Sequence, residues 1–239
     1  MPHISRPREV RMNRDDGHPP LARRPFLSKL GAGAATFGSV FGAGTTSAQA
    51  QQGDDRRWRP RRHAQDDWLD ELPGDHRLVF DTTTAEGFEK AARYAHNYLL
   101  GSDNAYALKS GDLAIVVIVR HLATVFAYND AMWAKYGTPL SQMINFSDRR
   151  TKQPPDKNVY KSGRIDSLDS LTARGVRFAV CEMATREFAG LLAQRTSGDA
   201  DAIHKELMSN LIAGSHAVPA GIITVNRAQE RGYTLAHGG

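Results

Sequence analysis

Seven apolar residues follow one another without interruption in LAIVVIV (residues 113–119), and this run restricts the possible folds more than any other feature. A strand with one buried face alternates apolar and polar residues, whereas a strand of a parallel sheet is covered on both faces and is apolar throughout. Four other stretches are predicted as further strands: HRLVFDTTT (76–84), VRFAVC (176–181), HAVPAG (216–221) and YTLAHG (233–238).

Stretches with helical periodicity lie between these strands, such as EGFEKAARYAHNYLL (86–100) and MATREFAGLLAQR (183–195). Strands that alternate with helices favour right-handed crossovers and a parallel sheet. We therefore predict that residues 76–239 form one α/β domain, with a single doubly wound, mostly parallel sheet flanked by helices.

A long polar insertion interrupts this domain. The stretch ATVFAYNDAMWAKYG (123–137) predicts a helix that ends at Gly137, and the polar residues 138–164 follow, with Pro154 and Pro155 adjacent. Loops of this length are uncommon in compact domains and are often lids or binding loops. A surface insertion of no functional consequence is an equal alternative.

The first fifty residues have the pattern of a twin-arginine (Tat) export signal. Arg23 and Arg24 are the paired arginines, and Phe26 and Leu27 follow at the spacing of such signals. No charge occurs between Lys29 and Asp54, and this uncharged stretch is rich in small residues and only weakly hydrophobic. It therefore fits the apolar region of a signal peptide better than a transmembrane helix.

Small residues at Ala48 and Ala50 predict cleavage after Ala50. The mature protein is then periplasmic or otherwise exported, its signal peptide is removed, and the Tat export machinery is a partner. No stable membrane anchor is predicted. The alternative is a disordered basic N-terminus.

Most of the positive charge of the chain belongs to this segment. Residues 1–50 have a net charge of +4 out of +5 for the whole chain, so the remainder is nearly neutral. The high isoelectric point is therefore no argument for nucleic-acid binding, and no nucleic-acid partner is predicted. The basic run RRWRPRRH (56–63) is neutralised by DDWLDELPGD (66–75), which predicts a flexible charged linker over residues 51–75.

Cys181 is the only cysteine of the chain and ends the predicted strand VRFAVC. In an oxidising compartment such a cysteine is buried and inert, paired between chains, or chemically active. The N-terminus of the following helix favours a thiolate, which is the reactive form of cysteine. Cys181 is therefore the candidate catalytic residue, although free cysteines often only fill a core.

Further candidates are expected near Cys181, because functional groups of such sheets gather at the carboxyl ends of the strands. Arg120 and His121 follow the strand LAIVVIV, and Arg186 lies about one helical turn beyond Cys181. These three are predicted to support a thiolate. Asp81 is a weaker candidate, which either lines the same cleft or helps to cap the next helix. No metal site and no cofactor are predicted.

Three stretches together give the chain a resemblance to the DsrE/DsrF-like (sulfur-relay) family: DLAIVVIV (112–119), ARGVRFAVCEMATREFAG (173–190) and VPAGIITVNRAQERGYTLAH (218–237). The resemblance implies a small α/β domain that assembles as a homo-oligomer, a trimer or a hexamer. Some members carry sulfur as a persulfide on a cysteine just after the third strand, and Cys181 aligns with it. Other members lack this cysteine.

The resemblance thus implies an exported sulfur carrier or sulfurtransferase that uses a persulfide on Cys181, with sulfur donor and acceptor proteins as partners. The alternative is a non-catalytic, oligomeric binding or interaction module in which Cys181 is buried and inert. The export signal and the insertion at 138–164 depart from the cytoplasmic members, so the partners are expected to differ.

Overall fold

The computed structural model describes residues 59–238. Five strands form one sheet: β1 (His76–Thr82), β2 (Leu113–Val119), β3 (Arg177–Cys181), β4 (Ser215–Val218) and β5 (Thr234–His237). Their order is β4-β3-β2-β1-β5, and every neighbouring pair is parallel. The predicted α/β fold with a single doubly wound sheet is therefore confirmed, with the sheet parallel throughout.

Seven α-helices surround the sheet: α1 (Trp68–Glu71), α2 (Ala85–Tyr106), α3 (Asp130–Ile144), α4 (Leu168–Ala173), α5 (Glu182–Thr196), α6 (Ala200–Ser209) and α7 (Gly221–Glu230). Short 3₁₀ helices span Ala64–Asp66, Ser110–Asp112 and His121–Ala127. Several α-helices begin after a polar residue whose side chain accepts a backbone N–H of the first turn, as Thr84 does for α2 and Asp199 for α6. Such caps satisfy donors that the helix itself leaves unpaired.

Strand β2 is the centre of the core, and all of its side chains are buried. Successive side chains of a strand point to opposite faces of its sheet. Ile115 and Val117 pack in one apolar cluster with Phe88 of α2, whereas Val116 on the other face packs with Val225 of α7. The uninterrupted apolar run of the sequence thus reflects helices on both faces, and each buried valine or isoleucine contributes about 1.5–3 kcal/mol.

The segment just before β1 is folded onto the sheet, and the predicted flexible linker is wrong for the described part of residues 51–75. Leu69 of α1 is fully buried, and Trp68 stacks on His216 of β4 at 4.3 Å between ring centroids. Arg77 donates a hydrogen bond to the carbonyl of Leu69 at 2.9 Å. Apolar packing and hydrogen bonds thus dock this segment together, and residues 51–58 lie outside the described residues.

The predicted helix 123–137 is also wrong in its bounds. Its first residues belong to a 3₁₀ helix, and α3 then begins after Asn129 and runs through Gly137 and Pro139 to Ile144. A Cβ on Gly137 would collide with the carbonyl oxygen of Pro155. The glycine therefore does not end the helix. It allows the segment after α3 to pack directly against the helix backbone.

Residues 145–167, here called the long loop, form the irregular segment between α3 and α4. The side-chain amide of Asn158, which is buried, donates to the carbonyls of Phe126 and Tyr128 at 2.7 and 2.9 Å. Tyr160 is also buried and accepts the backbone N–H of Leu168 on its carbonyl at 2.9 Å. The polar insertion is therefore tied to the domain core by specific hydrogen bonds.

The residues of the predicted export signal lie outside the described residues: Arg23, Arg24, Phe26, Leu27, Ala48 and Ala50. Between residues 59 and 238, none of the helices has the length and apolar character needed to cross a membrane.

Candidate functional site

Charged and nucleophilic groups gather at the carboxyl edge of the sheet, where neighbouring strands β1, β2 and β3 end. Asp81 is the penultimate residue of β1, Arg120 directly follows β2, and Cys181 is the last residue of β3. By the strand register Arg120 and Cys181 lie side by side, and Asp81 lies opposite Ile118, two positions before Arg120. This edge is where ligands bind in open α/β sheets.

Cys181 is the N-cap residue of α5, which begins at Glu182. The backbone N–H of Ala184 donates to the Cys181 sulfur with an N···S distance of 3.5 Å. The predicted position of the thiol at a helix N-terminus is therefore confirmed. The N–H group and the positive end of the helix dipole both favour a negative charge on the sulfur.

Side-chain hydrogen bonds hold the backbone of Cys181 in place. Its carbonyl accepts a hydrogen bond from the hydroxyl of Thr185 at 3.1 Å, and Tyr128 donates its phenol proton to the same hydroxyl at 3.2 Å. Burial raises the pKa of Tyr128, so this phenol stays protonated at all ordinary pH values. Only 6% of Cys181 is exposed, so the residue is buried.

Arg120 is fixed by Asp81 through a bidentate ion pair. The Nε and Nη2 atoms of the guanidinium donate to the two carboxylate oxygens at 2.7 and 2.8 Å, and the Asp81 side chain is only 5% exposed. The hydrogen bond to Asp81 raises the pKa of Arg120 against the effect of burial, and the charges of Asp81 and of a Cys181 thiolate add to this rise. Arg120 is thus a permanent cation within electrostatic reach of Cys181.

The first residue of α7 closes the space beside Arg120. A Cβ on Gly221 would stand 2.7 Å from the Cβ of Arg120 and 3.1 Å from a side-chain methyl carbon of Ile118. Glycine at this position lets α7 approach the stem of Arg120, whose guanidinium is held by Asp81.

The other two predicted supporting residues do not join this site. His121 is exposed, has a positive φ of 54° and starts the 3₁₀ helix that leads away from β2. Arg186 donates to Glu182 at 3.3 Å, and its guanidinium lies 3.5 Å from Asp201, so these carboxylates hold it on the outer side of α5 and α6. Its side chain is 58% exposed. The i,i+4 pair with Glu182 decides its position.

From the sequence, Asp81 was predicted only as a weaker candidate at this edge, and His237 was not predicted at all. Asp81 does not cap α2, because Thr84 does so, and Asp81 instead anchors Arg120. His237 of β5 pairs in register with Asp81, and its Nδ1 atom lies 3.8 Å from the Asp81 carboxylate. The carboxyl-end rule applied to the last predicted strand would have pointed to His237.

Large apolar side chains are exposed on the first turns of two helices that follow this edge. Met183 of α5 is 68% exposed, and Ile222 and Ile223 of α7 are 58% and 49% exposed. Within residues 59–238, no group of three or more His, Cys, Asp or Glu side chains is arranged to hold a metal ion.

Comparison with known proteins adds little to the description of this site. No protein-family model matches the chain, and no curated protein matches it. The solved structure of a protein of unknown function, MTH1491 from Methanobacterium thermoautotrophicum, is similar at 17% sequence identity with a TM-score of 0.36. The similar region covers 68% of this chain and 98% of that chain. Similarity at this level does not bear on the function of the present chain.

Proposed function

We propose that the protein is an exported, DsrE-like sulfur carrier that holds sulfur as a persulfide on Cys181. The observation that supports this most directly is the position of the thiol as the N-cap of α5, with the N–H of Ala184 directed at its sulfur. Arg120, fixed by Asp81, supplies a positive charge at the same edge.

The proposed chemistry consists of two displacements at sulfur. The Cys181 thiolate attacks the outer sulfur of a donor persulfide, the donor S–S bond breaks, and the donor leaves as a thiolate. The product is Cys181–S–SH. An acceptor thiolate then attacks the outer sulfur, takes it as a new persulfide, and releases Cys181 as a thiolate. No external oxidant or reductant is needed, because each step exchanges one S–S bond for another.

Each neighbouring group has a role in this cycle. Cys181 must be a thiolate when it attacks and again when it leaves, so groups that stabilise negative charge on its sulfur assist both steps. The Ala184 N–H and Arg120 are such groups. Asp81 touches neither sulfur nor donor, and it acts as a positioning residue through Arg120.

A non-catalytic binding or interaction module is the second candidate. The 6% exposure of Cys181 supports an inert, packed thiol, and the exposed Met183, Ile222 and Ile223 supply apolar surface for an interaction. In both candidates we propose a homo-oligomer, a trimer or a hexamer, and Tat-dependent export with removal of the signal peptide. These proposals follow from the family resemblance and from the signal pattern of residues 1–50.

The deciding experiment measures the intact mass of the mature protein after exposure to thiosulfate or to polysulfide. Cys181→Ser is the matched control, because serine is also a good N-cap residue and preserves the start of α5. We expect the wild type to gain the mass of one or more sulfur atoms and to lose it again with a reductant. The Cys181→Ser variant should gain none.

Thiol labelling separates the two candidates. A carrier requires Cys181 to react with iodoacetamide in the folded protein. Arg120→Gln should slow sulfur uptake from polysulfide, because a positive charge beside the reacting sulfur is lost. No added sulfur with either donor, together with a thiol that labels only after unfolding, would exclude the carrier and leave the interaction module.

A further inference from the structure

A pocket lies under the long loop, away from the residues around Cys181. It has a volume of about 160 Å³ and is lined by Glu89 of α2 and by loop residues on both sides of the double proline. Since a cavity of about 150 Å³ accommodates benzene, this pocket has room for one small organic molecule.

One wall of the pocket is apolar and rigid. Phe146, Val159 and Tyr160 form it. The rings of Phe146 and Tyr160 both pack against Phe126 of the core, with centroids 5.1 and 5.0 Å away. Burial, with the neighbouring Glu89 carboxylate as the second cause, raises the pKa of Tyr160, so its hydroxyl is neutral. This wall presents flat apolar surface in a fixed position.

The opposite side is built around a buried carboxylate that is already neutralised. Glu89 is 8% exposed, and its oxygens lie 2.8 Å from a guanidinium nitrogen of Arg149 and 3.5 Å from one of Arg164. Arg164 also makes a bidentate pair with Asp166 at 2.8 and 2.9 Å. A cationic ligand would therefore compete with arginines that already occupy the carboxylates.

Arg150 differs from these arginines. It lines the pocket, yet its guanidinium makes no ion pair or hydrogen bond with any residue between 59 and 238. The nearby Asp148 accepts the backbone N–H groups of Arg150 and Thr151, and these bonds lower the pKa of that carboxyl and hold it ionised. Glu89 pairs with Arg149 and Asp166 pairs with Arg164, so Arg150, which is exposed, is the arginine of the lining without a carboxylate partner among residues 59–238.

We propose that this pocket binds a small organic monocarboxylate. Its carboxylate pairs with Arg150, whose planar guanidinium suits bidentate recognition, and its apolar body packs against Phe146, Val159 and Tyr160. One guanidinium without a carboxylate partner suits a ligand with a single carboxylate, and the apolar wall favours an organic acid over an inorganic anion. The proposal is independent of any chemistry at Cys181.

Titration calorimetry with benzoate tests the site on the mature protein, with benzyl alcohol and inorganic phosphate as ligand controls. We expect saturable benzoate binding with a Kd of about 1 mM or tighter, and weaker binding of both controls. Arg150→Gln should weaken benzoate binding about tenfold, because one charge-assisted contact is lost. Lys157→Gln removes the same charge from an exposed position of the same loop and should leave the affinity unchanged.

Backbone amide NMR shifts locate the ligand, and we expect them to cluster in residues 146–164. Absence of benzoate binding would overturn the proposal, as would equal binding of benzyl alcohol or tighter binding of phosphate. Equal loss of affinity in Arg150→Gln and Lys157→Gln would also overturn it, since the effect would then be one of net charge. Shifts clustered at Arg120 instead would place benzoate at the other site and refute this one.

Discussion

Variants of the ion pair between Asp81 and Arg120 are expected to differ in stability in a definite order. The two members of the pair differ in burial, because the Asp81 side chain is 5% exposed and the Arg120 side chain is 26% exposed. Removing Arg120 leaves a carboxylate that water hardly reaches. Removing the charge of Asp81 leaves a guanidinium that water can partly hydrate.

We therefore expect Arg120→Met to lower the free energy of unfolding by about 4 kcal/mol, within the range for an uncompensated buried charge. Asp81→Asn keeps the size of the side chain and one acceptor oxygen, so its cost should be about 2 kcal/mol. With a urea m-value of about 2 kcal/mol/M, these losses move the unfolding midpoint by about 2 M and 1 M.

The double variant Asp81→Asn/Arg120→Met provides the sharpest comparison. Neutralising the stranded carboxylate should recover part of the loss, so the double variant should be more stable than Arg120→Met alone. Urea unfolding followed by circular dichroism measures all three. Glu86→Gln breaks an exposed pair with Lys90 on α2 and serves as the control, because exposed ion pairs contribute little to stability and its unfolding midpoint should hardly move. A double variant less stable than Arg120→Met would refute this account of the pair.

Three further outcomes are expected. Gly137→Ala should lower the thermal midpoint by several degrees, because overpacking against the long loop costs about 1–3 kcal/mol. Gly190→Ala is the control and should leave the midpoint unchanged, since its added methyl group meets open space. An unchanged midpoint for Gly137→Ala would contradict the close approach. Burial lowers the pKa of His216 below its ordinary value, so its neutral form stabilises the fold above about pH 6.5 and this stability is lost as the pH falls below that value. His216→Phe should flatten that part of the stability profile measured by urea unfolding, and an unaltered acid limb would contradict the assignment. Replacing both Arg23 and Arg24 with lysine should keep the precursor inside the cell, as judged by fractionation and the mass of the N-terminus, and normal export of the variant would exclude the Tat route.

Sequence patterns were reliable where one physical cause dominates a whole segment. Strand β2 is apolar at each position because helices cover both faces of the sheet, and this run, with the alternation of strands and helices, predicted a parallel α/β architecture. The start of α5 directly after Cys181 was predictable for a similar reason, since strand and helix periodicities meet at that point. Both features are local in the chain.

Features that depend on distant partners were not predictable. Asp81 and Arg120 are 39 residues apart, and no spacing rule indicates that they pair rather than cap a helix or face solvent. The sequence pattern predicts Gly137 as a helix stop, since its contact with Pro155 in the long loop has no local signal. Arg186 was expected near Cys181, but its contact with Asp201 of α6, together with Glu182, keeps it on the outer side of α5.

The sheet order has a consequence for the timing of folding during synthesis. Strand β5 adds to the free edge of β1, so Leu78 pairs with Thr234 and the two segments meet across most of the domain sequence. Until residue 237 has left the ribosome, β1 has an open edge that can pair with other chains. A protein exported in the folded state would therefore have to retain its precursor in the cytoplasm until this last strand has docked, and nascent chains that stall before it are the ones most exposed to aggregation and proteolysis.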